Sequence, residues 1–208
     1  MESRELAVGG AWVFRPTVYP DDRGLFVSPY QEAAFAKALG HGLFPVAQTN
    51  HSRSRRGVIR GVHYTTTPPG TAKYVYCARG RTVDFVVDLR VGSPTFGRWD
   101  SVLLDQRTFQ AVYLPVGVGH AFVALGDDTV VSYLLSGAYD PAHEQSVSVF
   151  DPDIGLEFPD GLDPVLSERD RAAVSLAEAR ATGALPEYRD CLRIEETMFG
   201  AAELRPRR

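Results

Sequence analysis

The chain has 208 residues, 44% hydrophobic and 23% charged, enough to bury one sizeable core and unlike a disordered segment. A formal net charge of −4 removes the electrostatic case for a nucleic-acid partner or an anionic membrane surface. No apolar run reaches bilayer length, and the two cysteines, Cys77 and Cys191, lie far apart, so the expectation is a chain in the reducing cytoplasm.

In chain order, residues 1 to 20 read as strand material, with Leu6, Val8, Trp12, Phe14 and Val18 among small residues and prolines. Asp21-Asp22-Arg23-Gly24 is a turn, followed by a short strand Leu25-Phe26-Val27. Ser28 as cap and Pro29 at the first helical position predict a helix through Ala33, Phe35 and Leu39, stopped by Gly40. From 43 to 135 the pattern is almost all strand: 44–50, 57–64, 72–78, 82–90, 98–104, 109–114, 120–125 and 129–135. Arg79-Gly80-Arg81 and Gly126-Asp127-Asp128 separate strand pairs closely enough to be hairpin turns. Many short strands with turns every eight to twelve residues predict an all-β antiparallel jelly-roll barrel. After Tyr139 the chain turns loop-rich, and a single helix is expected over 167–182 along Ala172, Val174, Leu176 and Ala179. The expected organisation is one domain over 1–208: a core at roughly 10–140 with a short N-terminal helix, and a C-terminal helical extension over 141–208 ending in a frayed Leu204 to Arg208.

The stretch Gly57-Val58-Ile59-Arg60-Gly61-Val62-His63-Tyr64 has two faces at period two. Ile59, Gly61 and His63 share one, and Val58, Arg60, Val62 and Tyr64 the other. Two glycines inside a strand suggest a close approach to the backbone. In the next strand Lys73 shares a face with Val75 and Cys77. A histidine and a lysine on neighbouring strands form a potential acid/base site, although on spacing alone a core histidine and a snorkelling lysine describe them better. By periodicity Tyr133 is a core aromatic, and Ser167-Glu168-Arg169-Asp170 fits a capping box. Basic residues gather at Arg53, Arg55, Arg56 and Arg60, which suits a small anionic ligand.

The P-x-G-x-x-H run Pro115-Val116-Gly117-Val118-Gly119-His120 resembles the second motif of the cupins, a jelly-roll superfamily. Many cupins hold a metal through three histidines and a glutamate. Here His63 and His120 fall short of three protein ligands, and no metal is expected.

These pieces occur together in an order that carries a stronger resemblance. Asp21 to Phe26, Gln48-Thr49-Asn50-His51-Ser52, Gly57 to Tyr64, Lys73, Pro115 to Phe122, Tyr133, Tyr139 and Ser167 to Asp170 resemble the dTDP-4-keto-6-deoxyhexose 3,5-epimerases in order and spacing, over roughly residues 10 to 172. That resemblance implies a cofactor-independent isomerase acting on a dTDP-linked keto-deoxysugar. His63 would be the base that removes the proton next to the C4 ketone, with Asp170 paired to its other ring nitrogen. Lys73 would face the ketone oxygen, and Tyr133 would donate a proton on the opposite ring face. Arg23 and Arg60 match positions that contact the diphosphate, and Phe26, Gln48, Asn50, His120 and Tyr139 match other ligand-contacting positions. The resemblance also implies a homodimer in which N-terminal strands cross over, so that Arg23 and Phe26 act in the partner's site.

Three departures bear on the substrate. Ser28 replaces a usual glutamate near the nucleobase, Thr65 and Thr71 replace glutamines around the sugar, and Phe150 replaces a frequent tryptophan before Asp151-Pro152. Residues 63–77 look closer to a branch serving antibiotic deoxysugars, including epimerases acting only at C5. The expected reaction is epimerisation at C5, or at C3 and C5, of a hexose such as a 2-deoxy or 3-amino sugar. Two alternatives stand beside it: a cupin 3,4-ketoisomerase of nucleotide sugars, and a non-catalytic sugar-nucleotide-binding jelly roll.

Overall fold

A computed structural model describes residues 1–200, so the expected fraying of Leu204 to Arg208 lies outside the described residues. The chain opens with strands β1 (Glu2–Glu5), β2 (Trp12–Arg15), β3 (Val18–Asp21) and β4 (Gly24–Val27), then helix α1 (Glu32–Leu39). Strands β5 (Gln48–Ser54), β6 (Ile59–Thr65), β7 (Lys73–Arg79) and β8 (Arg81–Asp88) follow. Next come β9 (Trp99–Asp105), β10 (Ala111–Leu114), β11 (Val118–Ala124) and β12 (Thr129–Leu135). The C-terminal part holds β13 (Glu144–Ser146) and helices α2 (Glu168–Arg171), α3 (Leu176–Ala181) and α4 (Tyr188–Phe199).

The strands form two antiparallel sheets that stack as a jelly roll: β1-β2-β10-β7-β12-β5 and β13-β6-β11-β8-β9, with β3-β4 as a separate hairpin. Between the sheets lies an apolar core in which Val75, Cys77, Val112 and Val131 meet Val86, Val102 and Phe122. Both outer faces are covered as well. Phe14, Tyr74 and Tyr113 of the six-stranded sheet pack against Phe35 of α1 and Cys191 and Phe199 of α4, with the Phe14 and Phe35 ring centroids 5.2 Å apart. Ile59, Val62 and Phe85 of the other sheet pack against Val149, Ile154 and Leu176. Cover on two faces explains why every residue of β11 is buried and why its sequence does not alternate.

Several expected elements differ. β5 starts at Gln48, not at residue 44, because Phe44 leaves the sheet to join the cluster under α1. α1 starts after Gln31 with no side-chain cap. Ser28 and Pro29 lie outside it because the buried Tyr74 hydroxyl donates to the Pro29 carbonyl at 2.7 Å, drawing that segment onto the sheet. Gly40 ends the helix as expected, with φ +88°.

Neither expected hairpin turn is one. β7 and β8 belong to different sheets, as do β11 and β12, so Arg79-Gly80-Arg81 and Gly126-Asp127-Asp128 are corners between sheets. Gly80 has φ +79°, and a Cβ there would sit 2.7 Å from Thr129 Oγ1 and 2.9 Å from its Cα. The single helix expected over 167–182 is two: α2 and α3 are interrupted where Val174 bridges to Val147 and Ser148 N–H donates to the Val174 carbonyl. Helix α4, unanticipated from the sequence pattern, closes the outer face of the six-stranded sheet.

Candidate active site

The strand β6 reading at strict period two fails at its centre. Against β11 the register moves between His120↔His63 and Phe122↔Arg60, so two β6 residues stand opposite Ala121. Gly61 makes room for this bulge: at φ +132°, a Cβ would lie 2.6 Å from the His120 carbonyl oxygen. The consequence is a phase change. Ile59, Val62 and Tyr64 are buried in the outer cluster, while Arg60 and His63 both line the cavity between the sheets. On β7 the simple alternation holds, with Lys73, Val75 and Cys77 on the inner face.

That cavity, about 520 Å³, opens where β7 begins and β12 ends. Arg60 and His63 from β6, Lys73 from β7, His120 from β11, Tyr133 from β12, Asn50 from β5 and Tyr139 just beyond β12 all line it. Asp170 reaches it from behind His63. The chain before α2 is stitched to the start of β6, with Ile59 N–H donating to Val165 O and Val165 N–H to Gly57 O, both at 2.9 Å. Ser167 then caps α2 by accepting from Asp170 N–H, which leaves the Asp170 carboxylate free to bind His63 Nε2 at 2.6 Å. The capping expectation holds for the Ser167 half only. Burial opposes ionisation of Asp170, but the bond and charge of His63 outweigh it and hold the carboxyl below its ordinary value.

Lys73 is 7% exposed. Burial lowers its pKa, and the charges of Glu144 and Asp84 push back. Burial raises the Tyr133 phenol, opposed by the Ser52 hydroxyl 3.1 Å away. His120 Nε2 meets Asp84 Oδ2 at 2.7 Å, and its ring stands edge-on to Tyr133. Arg60 donates from Nε to Ser54 Oγ at 3.2 Å. Gln48 does not line the cavity. It donates to Asn50 Oδ1 and accepts from Tyr139 N–H, so it positions residues that do.

Arg23 and Phe26 are not brought to this cavity within one chain. Arg23 sits at the β3–β4 turn on Asp21, and Phe26 is 66% exposed. Among the polar residues not given a role from the sequence, Ser52, Glu144 and Arg169 line the cavity, and Asp84 backs it through His120. Asp84 left a legible signal, a carboxylate amid apolar β8 that must find a partner once buried. Glu144 left none, because its chain segment looks like loop. Among the described residues, no group of three or more His, Cys, Asp or Glu side chains comes together to hold a metal. A surface groove of about 560 Å³ along α4, by Val91, Tyr188 and Arg193, brings together no such acid/base set.

Comparison with known proteins places this geometry. The family model described as dTDP-4-dehydrorhamnose 3,5-epimerase matches residues 5–178. A dTDP-4-dehydrorhamnose 3,5-epimerase of Mycolicibacterium smegmatis is 48% identical over 95% of this chain and 97% of its own. The rmlC epimerase structure of Mycobacterium tuberculosis superposes with a TM-score of 0.91 at 45% identity, covering 95% of this chain and 100% of that one. ChmJ, a 3'-monoepimerase from Streptomyces bikiniensis solved with dTDP-quinovose, gives 0.88 at 46% identity, covering 94% and 98%. With the matched region running from the end of β1 into α3 and so spanning every residue of the cavity, the chain belongs to the dTDP-4-dehydrorhamnose 3,5-epimerase family of isomerases.

Proposed function

We propose that this protein epimerises a dTDP-linked 4-keto-6-deoxyhexose at C5, or at C3 and C5. The observation that carries the reading is the convergence of the His63–Asp170 pair, Lys73 and Tyr133 on one cavity. With Nε2 held by the carboxylate, His63 takes the proton next to the ketone on Nδ1, and Asp170 stabilises the imidazolium that forms. The C–H electron pair moves into the ring as the C=O bond opens, and Lys73 stabilises the enolate oxygen from a site shielded from water. The enolate then re-forms the ketone by taking the Tyr133 proton on the opposite face. The ketone itself acidifies the C–H, so the chemistry draws on no cofactor.

Arg60, together with Arg23 from a second copy, suits the diphosphate as a guanidinium fork does. A homodimer fits the N-terminal hairpin, which exposes Tyr19, Leu25 and Phe26 at 57%, 48% and 66%. Cys77 and Cys191 are free and buried, which fits a reducing cytoplasm. No helix among the described residues is long and apolar enough to cross a membrane. The changed residues Ser28, Thr65 and Thr71 favour a sugar modified at C2 or C3. We further read 1–208 as one domain, since the 147–185 segment completes the cluster on the second sheet.

The test is incubation with dTDP-4-keto-6-deoxyglucose in heavy water, read by NMR. Deuterium at C5, or at C3 and C5, with inversion there is the expected result. Exchange and inversion at C3 alone would keep the chemistry and change the carbon, as in the 3'-monoepimerase. A carbonyl moved to C3 would favour the ketoisomerase, and no exchange at all would leave a binding protein.

A further inference from the structure

Strand β5 lies at the edge of the six-stranded sheet, and its burial alternates. Gln48, Asn50, Ser52 and Ser54 turn inward while Thr49, His51 and Arg53 are exposed. Each inward side chain is bonded to a cavity residue: Gln48 to Asn50 and the Tyr139 N–H, Ser52 to the Tyr133 hydroxyl, Ser54 to Arg60 Nε. The register explains the middle contact. Asn50 stands opposite Tyr133, so Ser52, two residues on, is the diagonal neighbour on the same face.

Among the described residues, Ser52 is the one hydrogen-bond partner of the phenol, at 3.1 Å. The His120 ring packs edge-on with its centroid 5.9 Å away and fixes the plane of the Tyr133 ring, not the direction of its O–H. The other polar groups acting on the phenol are Asp84 from β8, Arg60 from β6 and the Cys77 thiol from β7. None of them bonds to it.

We infer that Ser52 is a positioning residue for Tyr133, its rotatable hydroxyl aiming the phenol proton and then stabilising the phenolate left behind. This rests on the proposed epimerase reading. A serine hydroxyl can accept before the transfer and donate after it. In the transfer the Tyr133 O–H bond breaks and a C–H bond forms with the enolate electron pair. The phenolate then regains its proton from water while His63 releases the one it took. An anion formed on a half-buried phenol depends on a donor already in place. Ser54 does the parallel job for Arg60, at the binding end instead of the chemical one.

The experiment compares Ser52→Ala, Ser52→Thr, Ser54→Ala and Tyr133→Phe with wild type on the keto-sugar in heavy water. Two rates are read: deuterium entering recovered substrate, which reports His63, and formation of inverted product, which reports the donor. For Ser52→Ala the exchange rate and KM stay within about twofold while inversion falls about three- to tenfold, the size of one lost hydrogen bond. Ser52→Thr restores inversion. Ser54→Ala raises KM and leaves the ratio of inversion to exchange unchanged. A Ser52→Ala enzyme with the wild-type ratio, or one losing both rates together while still melting cooperatively, overturns the inference and leaves the epimerase reading intact. A Tyr133→Phe enzyme with the wild-type ratio removes the phenol as donor and Ser52 with it, whereas absence of exchange in wild type removes the reading itself.

Discussion

Replacing Asp170 by asparagine isolates the charge of the carboxylate from its shape. The amide can still accept from His63 Nε2, so the ring stays oriented, but the imidazolium formed on proton abstraction loses its counter-charge. The bond is 2.6 Å long, and the aspartate side chain is only 4% exposed, so water substitutes poorly for it. A hydrogen bond to a charged group is worth about 1.5–3 kcal/mol, which predicts a fall in kcat of about 12- to 150-fold. KM for the keto-sugar and affinity for dTDP should hardly move, because the carboxylate stands behind His63 and outside the cavity lining. The assay is steady-state epimerisation alongside solvent exchange, and both rates should fall together since both need the base. A kcat within about threefold of wild type, or a loss confined to KM, would refute the dyad. The substitution carries a second signature in stability. The folded-state pKa of Asp170 lies below its ordinary value of 3.8, so its contribution is complete above that value and disappears as pH falls through the folded-state value. The stability gap between wild type and Asp170→Asn should therefore narrow as pH falls below about 4.

Lys73→Met should cut kcat about 10²- to 10³-fold, as loss of an oxyanion donor does, while thermal stability is kept or raised because a buried ammonium is removed; unchanged kcat would take Lys73 out of the chemistry. Gly80→Ala should destabilise the fold by at least about 1–2 kcal/mol in urea unfolding, from the left-handed backbone alone. An unchanged midpoint would mean the corner can relax away from Thr129. Mixing inactive His63→Ala and Arg23→Ala proteins after subunit exchange should restore up to about a quarter of wild-type sites, since one site per mixed dimer is intact. No recovery despite proven exchange would place Arg23 outside the partner's site.

Much of the architecture was legible in the chain because its causes are local. Eight strands between 43 and 135 announce themselves through β-branched and aromatic runs, and seven of them lie within a few residues of where the pattern puts them. Lys73, Val75 and Cys77 share a face because β7 is regular. The turn at Arg79-Gly80-Arg81 was also legible as a turn, but a turn does not say which strand the next one will join. β7 finds its partners in β10 and β12, far along the chain, so the turn becomes a corner.

The site divides in the same way. On spacing and periodicity alone His63, Lys73, Tyr133 and Asp170 read as core, snorkelling and capping residues; resemblance gave them their roles and joined His63 to Asp170, 107 residues away. That Arg60 and His63 face one cavity was hidden, since a bulge opposite Ala121 is a property of the β6–β11 pair and not of β6 alone. Ser52 and Glu144 were hidden for a related reason: a hydroxyl on an edge strand and a carboxylate in a loop acquire meaning only from what faces them. The sequence by itself determined the strand-rich architecture, the turn positions and the chemical inventory, all set by interactions within a few residues. Tertiary structure decided which sheet each strand entered, the phase of β6 and the partners of each polar side chain, because those depend on contacts between segments whose approach no local pattern records.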